Sequence, residues 1–346
     1  MRGRRALVPA VLLSAVALLG ACSAAPQTGG VDPVTRHTQT ARPDLSTSSD
    51  PYVHLASALH HRGVQVWFEA DLVKAWLGGP AAFQTAVHRL GRLAKVPGVA
   101  GFKIADELGY HDGIESPDEA LRFLTAAHRA LHAVAPHAQV LVDMVVPELG
   151  CLPWLDAAGD SCAVNARSTS PAATVDAVTR YLRAGLIDRL DLSTGLLDAS
   201  SYAARGLTLQ AAQKDAWAEV DQLGWGSLTT LQARKALAAP GGYQGSTAQA
   251  GADVDTYIDI PADAGAASID IWTWRQPYDG ATVSLLAPSL APNPLWDALA
   301  RLRNGSTALL THMTPSQMPT DHAAFDHECD LVSRVFAGVF VAAGTG

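Results

Sequence analysis

Residues 99–146 read VAGFKIADELGYHDGIESPDEALRFLTAAHRALHAVAPHAQVLVDMVV, and this stretch decides the fold. Val99 to Ile104 is a short apolar strand that ends in Asp106-Glu107. Ser116 is a natural N-cap, with Glu119 at capping-box spacing, for a helix from about Pro117 to Val134. Gln139 to Val146 is apolar again and predicts a second strand. Two strands joined by an amphipathic helix make a parallel crossover unit.

The same alternation extends in both directions. Upstream lie a short helix over Tyr52 to His61, a strand over Val64 to Phe68, and a helix over Pro80 to Lys95 with proline in its first turn. Downstream come a helix over Thr174 to Ala184, a strand over Ile187 to Leu192 and a helix over Leu209 to Leu223. They are followed by a weak strand over Trp225 to Leu231, a helical stretch over Ala250 to Ala264, a clear strand over Ser268 to Trp274 and a helix over Pro294 to Arg303. The pattern predicts an α/β fold, a (β/α)8 barrel of the TIM type. A doubly wound open sheet competes, but no glycine-rich phosphate turn follows an early strand. Six strands are readable where a barrel needs eight. The expectation is a barrel incomplete at its N-terminal strands, or one to which the apolar tail Leu331 to Ala343 adds a strand or a buried helix.

Hydrophobic residues make up 48% of the 346-residue chain and charged residues 17%, so its body is globular rather than disordered. The net charge of −8 leaves no basic stripe for phosphates and argues against a nucleic-acid partner. At the N-terminus, Arg2, Arg4 and Arg5 precede an uncharged apolar run from Ala6 to Leu19, the pattern of a signal peptide. The expected organisation is a signal peptide over 1–21, a Ser-, Thr- and Pro-rich tether over 22–50, the barrel over 51–305, and a C-terminal tail of undetermined structure over 306–346.

Leu19-Gly20-Ala21-Cys22 resembles the lipobox of bacterial lipoproteins, which implies cleavage before Cys22 and a lipid on its thiol. The resemblance implies export and attachment to the outer face of a bacterial cell membrane. In an oxidising compartment Cys151 and Cys162, which bracket a loop with Pro153, Gly159 and Asp160, are expected to form a disulfide. Cys329 has no partner left. No spacing of Cys or His matches a structural zinc site, and neither a metal nor a cofactor is expected.

Active sites of such barrels lie at the carboxyl ends of the strands. There the sequence places Glu69 and Asp71, then Asp106-Glu107, Asp143 and Glu148, Asp191 and Asp198, and finally Asp270, Trp272, Trp274 and Arg275. Carboxylates are therefore expected on one rim. The segment Gly101-Phe102-Lys103-Ile104-Ala105-Asp106-Glu107-Leu108-Gly109-Tyr110 resembles the fourth-strand segment of (β/α)8 glycoside hydrolases and hydrolase-like domains, and Trp272-Thr273-Trp274 resembles their aromatic floor. The resemblance implies that Glu107 is the general acid, with Asp106 beside it.

Glycoside hydrolysis also needs a second carboxylate as nucleophile or base. Asp143 and Glu69, on strands expected to flank the Asp106-Glu107 strand, rank ahead of Asp191 and Asp270. The stretch Trp225 to Ala239, where retaining relatives carry their second glutamate, contains no acid. Trp67, Tyr110, Asp191, Asp270, Trp272, Trp274 and Arg275 are candidate substrate contacts, with Trp272, Trp274 and Asp270 on one face by the two-residue period. Arg275 could instead pair with one of these acids. The expected function is a surface-anchored hydrolase-like monomer that acts on a polysaccharide or glycan by acid/base catalysis. The alternative is a non-catalytic carbohydrate- or solute-binding lipoprotein on a degenerate barrel.

Overall fold

The structure is a computed structural model that describes residues 50–152, 155, 157–232, 237–303 and 305–342. The lipobox, Cys22 and the tether up to residue 49 lie outside the described residues.

Eight strands form a closed parallel ring. In chain order they are β1 (Gln65–Glu69), β2 (Val99–Lys103), β3 (Gln139–Val145), β4 (Arg189–Ser193) and β5 (Thr229–Gln232), then, after the short β6 (Ala239–Pro240), β7 (Ser268–Tyr278). Beyond β8 (Ala281–Ser284) come β9 (Ala308–Met313) and β10 (Gly338–Val341). Pairing runs β1–β2–β3–β4–β5–β7–β9–β10 and returns to β1, every pair parallel. The two strands not readable in the sequence come from the C-terminal side and not from before Tyr52. The tail from Leu331 supplies both a buried helix end and a strand: His322–Val335 is helical, and Gly338–Val341 sits between β1 and β9.

Side-chain N-caps hold the helices at the points where the loops deliver them. Ser116 accepts from the backbone N–H of Glu119 at the start of Pro117–Val134. Asp71, Thr174, Thr208, Ser246, Asn293 and Asp321 do the same for the helices that follow them. Each satisfies a backbone donor that the first turn cannot, for about 1 kcal/mol per cap.

The strand alternation sorts the barrel interior into layers. Val66, Phe68, Phe102, Val140, Val142, Leu190, Ile269 and Val339 face outward into the main core against the helices. Trp67, Leu141, Leu310 and Phe340 face inward and form a separate apolar cluster that closes the barrel. Trp67 needs room for this: a Cβ on Gly101 would lie 2.7 Å from its ring and 2.1 Å from the Gln139 carbonyl oxygen, so only glycine fits there. Trp67 is therefore part of a buried floor, 3% exposed, and not a sugar platform.

A two-residue turn at Asp279-Gly280, both at positive φ, folds the end of β7 back onto β8 as an antiparallel hairpin. The hairpin is extended by β6.

Candidate active site at the carboxyl ends of the strands

One step up from the apolar floor, the inward positions become charged. Glu69 on β1, Lys103 on β2, Asp143 on β3, Asp191 on β4, Asp270 on β7 and His312 on β9 project into one layer, and all but Glu69 are sealed from solvent. The Glu69 side chain retains 23% exposure. The Lys103 ammonium lies 3.1 Å from Asp143 Oδ2, 3.3 Å from Asp191 Oδ2 and 3.9 Å from Glu69 Oε2. His312 places Nδ1 2.9 Å from Glu69 Oε2 and Nε2 2.7 Å from Asp270 Oδ2. Asp191 and Asp270 interact in turn, so Glu69, His312, Asp270, Asp191 and Lys103 make a closed ring of contacts.

Burying so much charge is costly unless it is paired, and the ring shows how it is balanced. Burial alone would push the Lys103 ammonium towards neutrality, but the carboxylates of Asp143, Glu69 and Asp191 overcome this and hold it well above its ordinary value. Burial likewise opposes the His312 imidazolium, which Asp270 and Glu69 nevertheless lift to about 9. Against the same penalty, Lys103 and His312 keep Glu69 below the ordinary carboxylate range, and His312 does so for Asp270. Burial and the neighbouring Asp270 charge push Asp191 well above it. Asp191 and Asp270 thus stand side by side with their protonation driven apart.

The segment after β2 hangs over this layer. Leu108 donates its N–H to the Asp143 carbonyl and Tyr110 donates to that of Glu107, which pins residues 104–110 against β3. Asp106 is exposed, and its charge acts weakly on both Glu69 and Lys103. Glu107 is half-buried at φ 55°, in the left-handed region, and Tyr110 packs edge-on against His111. As anticipated from strand order, β1 and β3, which bear Glu69 and Asp143, flank β2 directly.

Three of the expected substrate contacts are placed elsewhere. A register irregularity in β7 between Ile271 and Arg275 breaks the two-residue alternation, so Trp272 and Trp274 do not share a face. Trp274 turns outward, 2% exposed, against Trp296, and its indole N–H donates to Glu328 Oε2. Trp272 remains half-exposed, edge-on to Tyr278 with ring centroids 5.0 Å apart. Arg275 donates from Nη2 to both oxygens of the buried Glu328 of the His322–Val335 helix and not to a rim acid. Trp67, already described, lies in the floor. Glu148 and Asp198 are structural: Glu148 accepts from Arg167 and from the Val175 N–H, and Asp198 caps the helix Ala199–Ala203. Cys151 and Cys162 form the anticipated disulfide, with Cα atoms 5.4 Å apart, and Cys329 is a buried free thiol.

Lys103 and His312 were not assigned roles from sequence. Lys103 lies at an inward position of a readable strand, and its two-residue spacing from Gly101 was the available signal. His312 lies on β9, a short apolar run bounded by Gly305 and Pro315 that carries the signature of a buried strand. Among the described residues, Asp191, Asp270 and His312 are the group whose donor atoms are close enough to share a metal ion, all within 4.8 Å of one another.

No protein-family model matches the sequence, and neither does any curated protein compared with it. Solved structures match as folds. A pyruvate carboxylase of Rhizobium etli aligns at 13% identity and a TM-score of 0.40, over 84% of this chain and 24% of that one. A structure described as a phosphonomutase of Burkholderia cenocepacia aligns at 14% and 0.40, over 84% and 91%. Xylanase 10B of Thermotoga petrophila aligns at 13% and 0.39, over 66% and 69%. This chain spans less than half the length of the pyruvate carboxylase chains it matches. At such scores these likenesses bear on neither chemistry nor ligand, and the barrel itself rests on the closed ring of strand pairings.

Proposed function

We propose that this chain is an exported, lipid-anchored barrel that acts on an extracellular glycan through carboxyl groups at its mouth. The observation that carries the reading is the charged layer. Four inward carboxyl groups, Glu69, Asp143, Asp191 and Asp270, stand at the carboxyl ends of four strands above a sealed floor, and Asp106-Glu107 follows the strand between those of Glu69 and Asp143. Among the described residues the cations of the layer are Lys103 and His312, and both are engaged by carboxylates. A carboxyl-rich layer suits a neutral polyol, whose hydroxyl groups it can receive as an acceptor. Glu69, the layer's partly exposed member, is the carboxylate that faces the substrate, and Glu107 is the acid that the glycoside-hydrolase resemblance implies.

Export and anchoring are supported by Arg2, Arg4 and Arg5, the apolar run, the lipobox ending at Cys22, and a disulfide that suits an oxidising compartment. A monomer anchored by one lipid suffices for this reading.

Hydrolysis of a panel of cell-wall and plant polysaccharides by the protein, beside its Glu107→Gln variant, tests the assignment. Reducing-end release that falls by about 100-fold in the variant supports Glu107 as the acid. Binding of oligosaccharide without cleavage in either protein replaces the reading with the non-catalytic one, for which the half-exposed Trp272–Tyr278 pair offers a stacking surface.

A further inference from the structure

The triangle of Asp191, Asp270 and His312 is independent of any assumption about glycans. We propose that it is a binding site for one divalent first-row transition ion, held by His312 Nε2 and a carboxylate oxygen from each aspartate. The three donor groups come from β4, β7 and β9, so the rigid barrel wall and not a loop fixes their spacing. All three are buried, Asp191 and Asp270 completely and His312 to within 2%.

Once the ion displaces the proton on Nε2, the two nitrogens of His312 stand as a metal-binding imidazole requires. Nδ1 faces Glu69 Oε2 at 2.9 Å, the outer carboxylate that fixes ring orientation and tautomer in histidine metal sites. Nε2 faces Asp270 Oδ2 at 2.7 Å, a hydrogen-bonded contact that a bound ion replaces by widening it to roughly 3.0–3.4 Å, the separation of two donors held at about 2.1 Å. A second observation points the same way. Asp270 Oδ1 is sealed from solvent and has no N–H or hydroxyl donor, and Asp270 lies against the Asp191 carboxyl group, an acid pair of the kind a cation bridges.

One imidazole with two carboxylates suits a first-row ion such as Mn2+ or Zn2+ better than Ca2+, which needs six or more oxygens. Three protein donors leave coordination positions open, as in catalytic rather than structural sites. Lys103, 3.3 Å from Asp191 Oδ2 and 3.1 Å from Asp143 Oδ2, sits behind Asp191 as a fixed counter-charge.

Mn2+ is the probe of choice, because the His128–His132 pair on the helix surface, with ring centroids 4.2 Å apart, can itself take Zn2+. Calorimetric titration of the protein with Mn2+, with the bound fraction followed independently by loss of the free-ion electron paramagnetic resonance signal, should give one ion per chain. Asp270→Asn should weaken binding at least about tenfold, and Glu69→Gln, which alters only the outer partner, by about 10- to 100-fold. Thermal melting of both variants establishes that they remain folded, and the wild-type stoichiometry does not depend on them. Absence of Mn2+ binding at millimolar concentration, or binding that neither substitution weakens in folded protein, overturns the proposal. Neither result depends on whether a polysaccharide is cleaved.

Discussion

Nδ1 of His312 stands 2.9 Å from Oε2 of Glu69, a contact that ties β9 to β1 across the intervening β10. The last third of the sequence is thereby joined to the first strand inside the barrel. It also makes the charged layer one connected unit, in which Glu69 and His312 each touch two other members.

Lys103 is the member with most to lose. Its ammonium is the cation that Asp143, Asp191 and Glu69 share, so Lys103→Met removes a charge against which three carboxyl groups pack. The expected loss is about 3–5 kcal/mol of unfolding free energy, measured by denaturant titration. A change below about 1 kcal/mol would mean that the layer reorganises freely.

Glu328 should behave as a structural acid. It is buried, and it accepts from Arg275 Nη2 and from the Trp274 indole N–H. Glu328→Ala is expected to destabilise by about 3–5 kcal/mol through the stranded guanidinium. Any catalytic rate measured below the melting transition should persist.

Gly101→Ala should destabilise the barrel without touching a charged group. The new methyl would meet the Gln139 carbonyl and the Trp67 ring, and displacing that ring opens the floor. Overpacking of this kind costs about 1–3 kcal/mol, read as a lower melting temperature, and a neutral outcome would contradict the floor as described.

The disulfide and the free thiol make opposite predictions. Reducing Cys151–Cys162, which closes a short loop, should cost about 3 kcal/mol in the chain-entropy model. Cys329, which burial pushes up to about 12, should resist alkylation by iodoacetamide at pH 8 until the chain is unfolded. Alkylation of the native protein at the rate of a free thiol would show that the His322–Val335 helix opens.

The readable parts of this fold are those where local pattern and tertiary role agree. Ser116 caps its helix because the hydroxyl satisfies a first-turn donor wherever the helix lies, so the capping box was legible. The strands β1 to β3 were legible because burial on both faces leaves nearly continuous apolar runs, and β4 because Leu190 and Leu192 alternate with polar residues. β9 was missed because Thr311 and His312 interrupt its apolar run, and the four-residue β10 lay in a tail that read equally as strand or buried helix. The carboxylates on the strand ends could be listed from sequence, whereas their cations could not. Lys103 looks like any strand lysine until the ring closes around it, and His312 lies on a strand that was not recognised. Trp272 and Trp274 misled because a local irregularity in β7 overrode the two-residue period on which their shared face was inferred.

The most direct test of the central claim is the initial rate of polysaccharide hydrolysis by Glu69→Gln relative to the unmodified protein. The substitution keeps the size of the one layer member that reaches solvent while removing its charge. A fall of about 100-fold or more, with the folded state and oligosaccharide affinity preserved, is the predicted result. A rate unchanged in Glu69→Gln would contradict the placement of the chemistry in this layer.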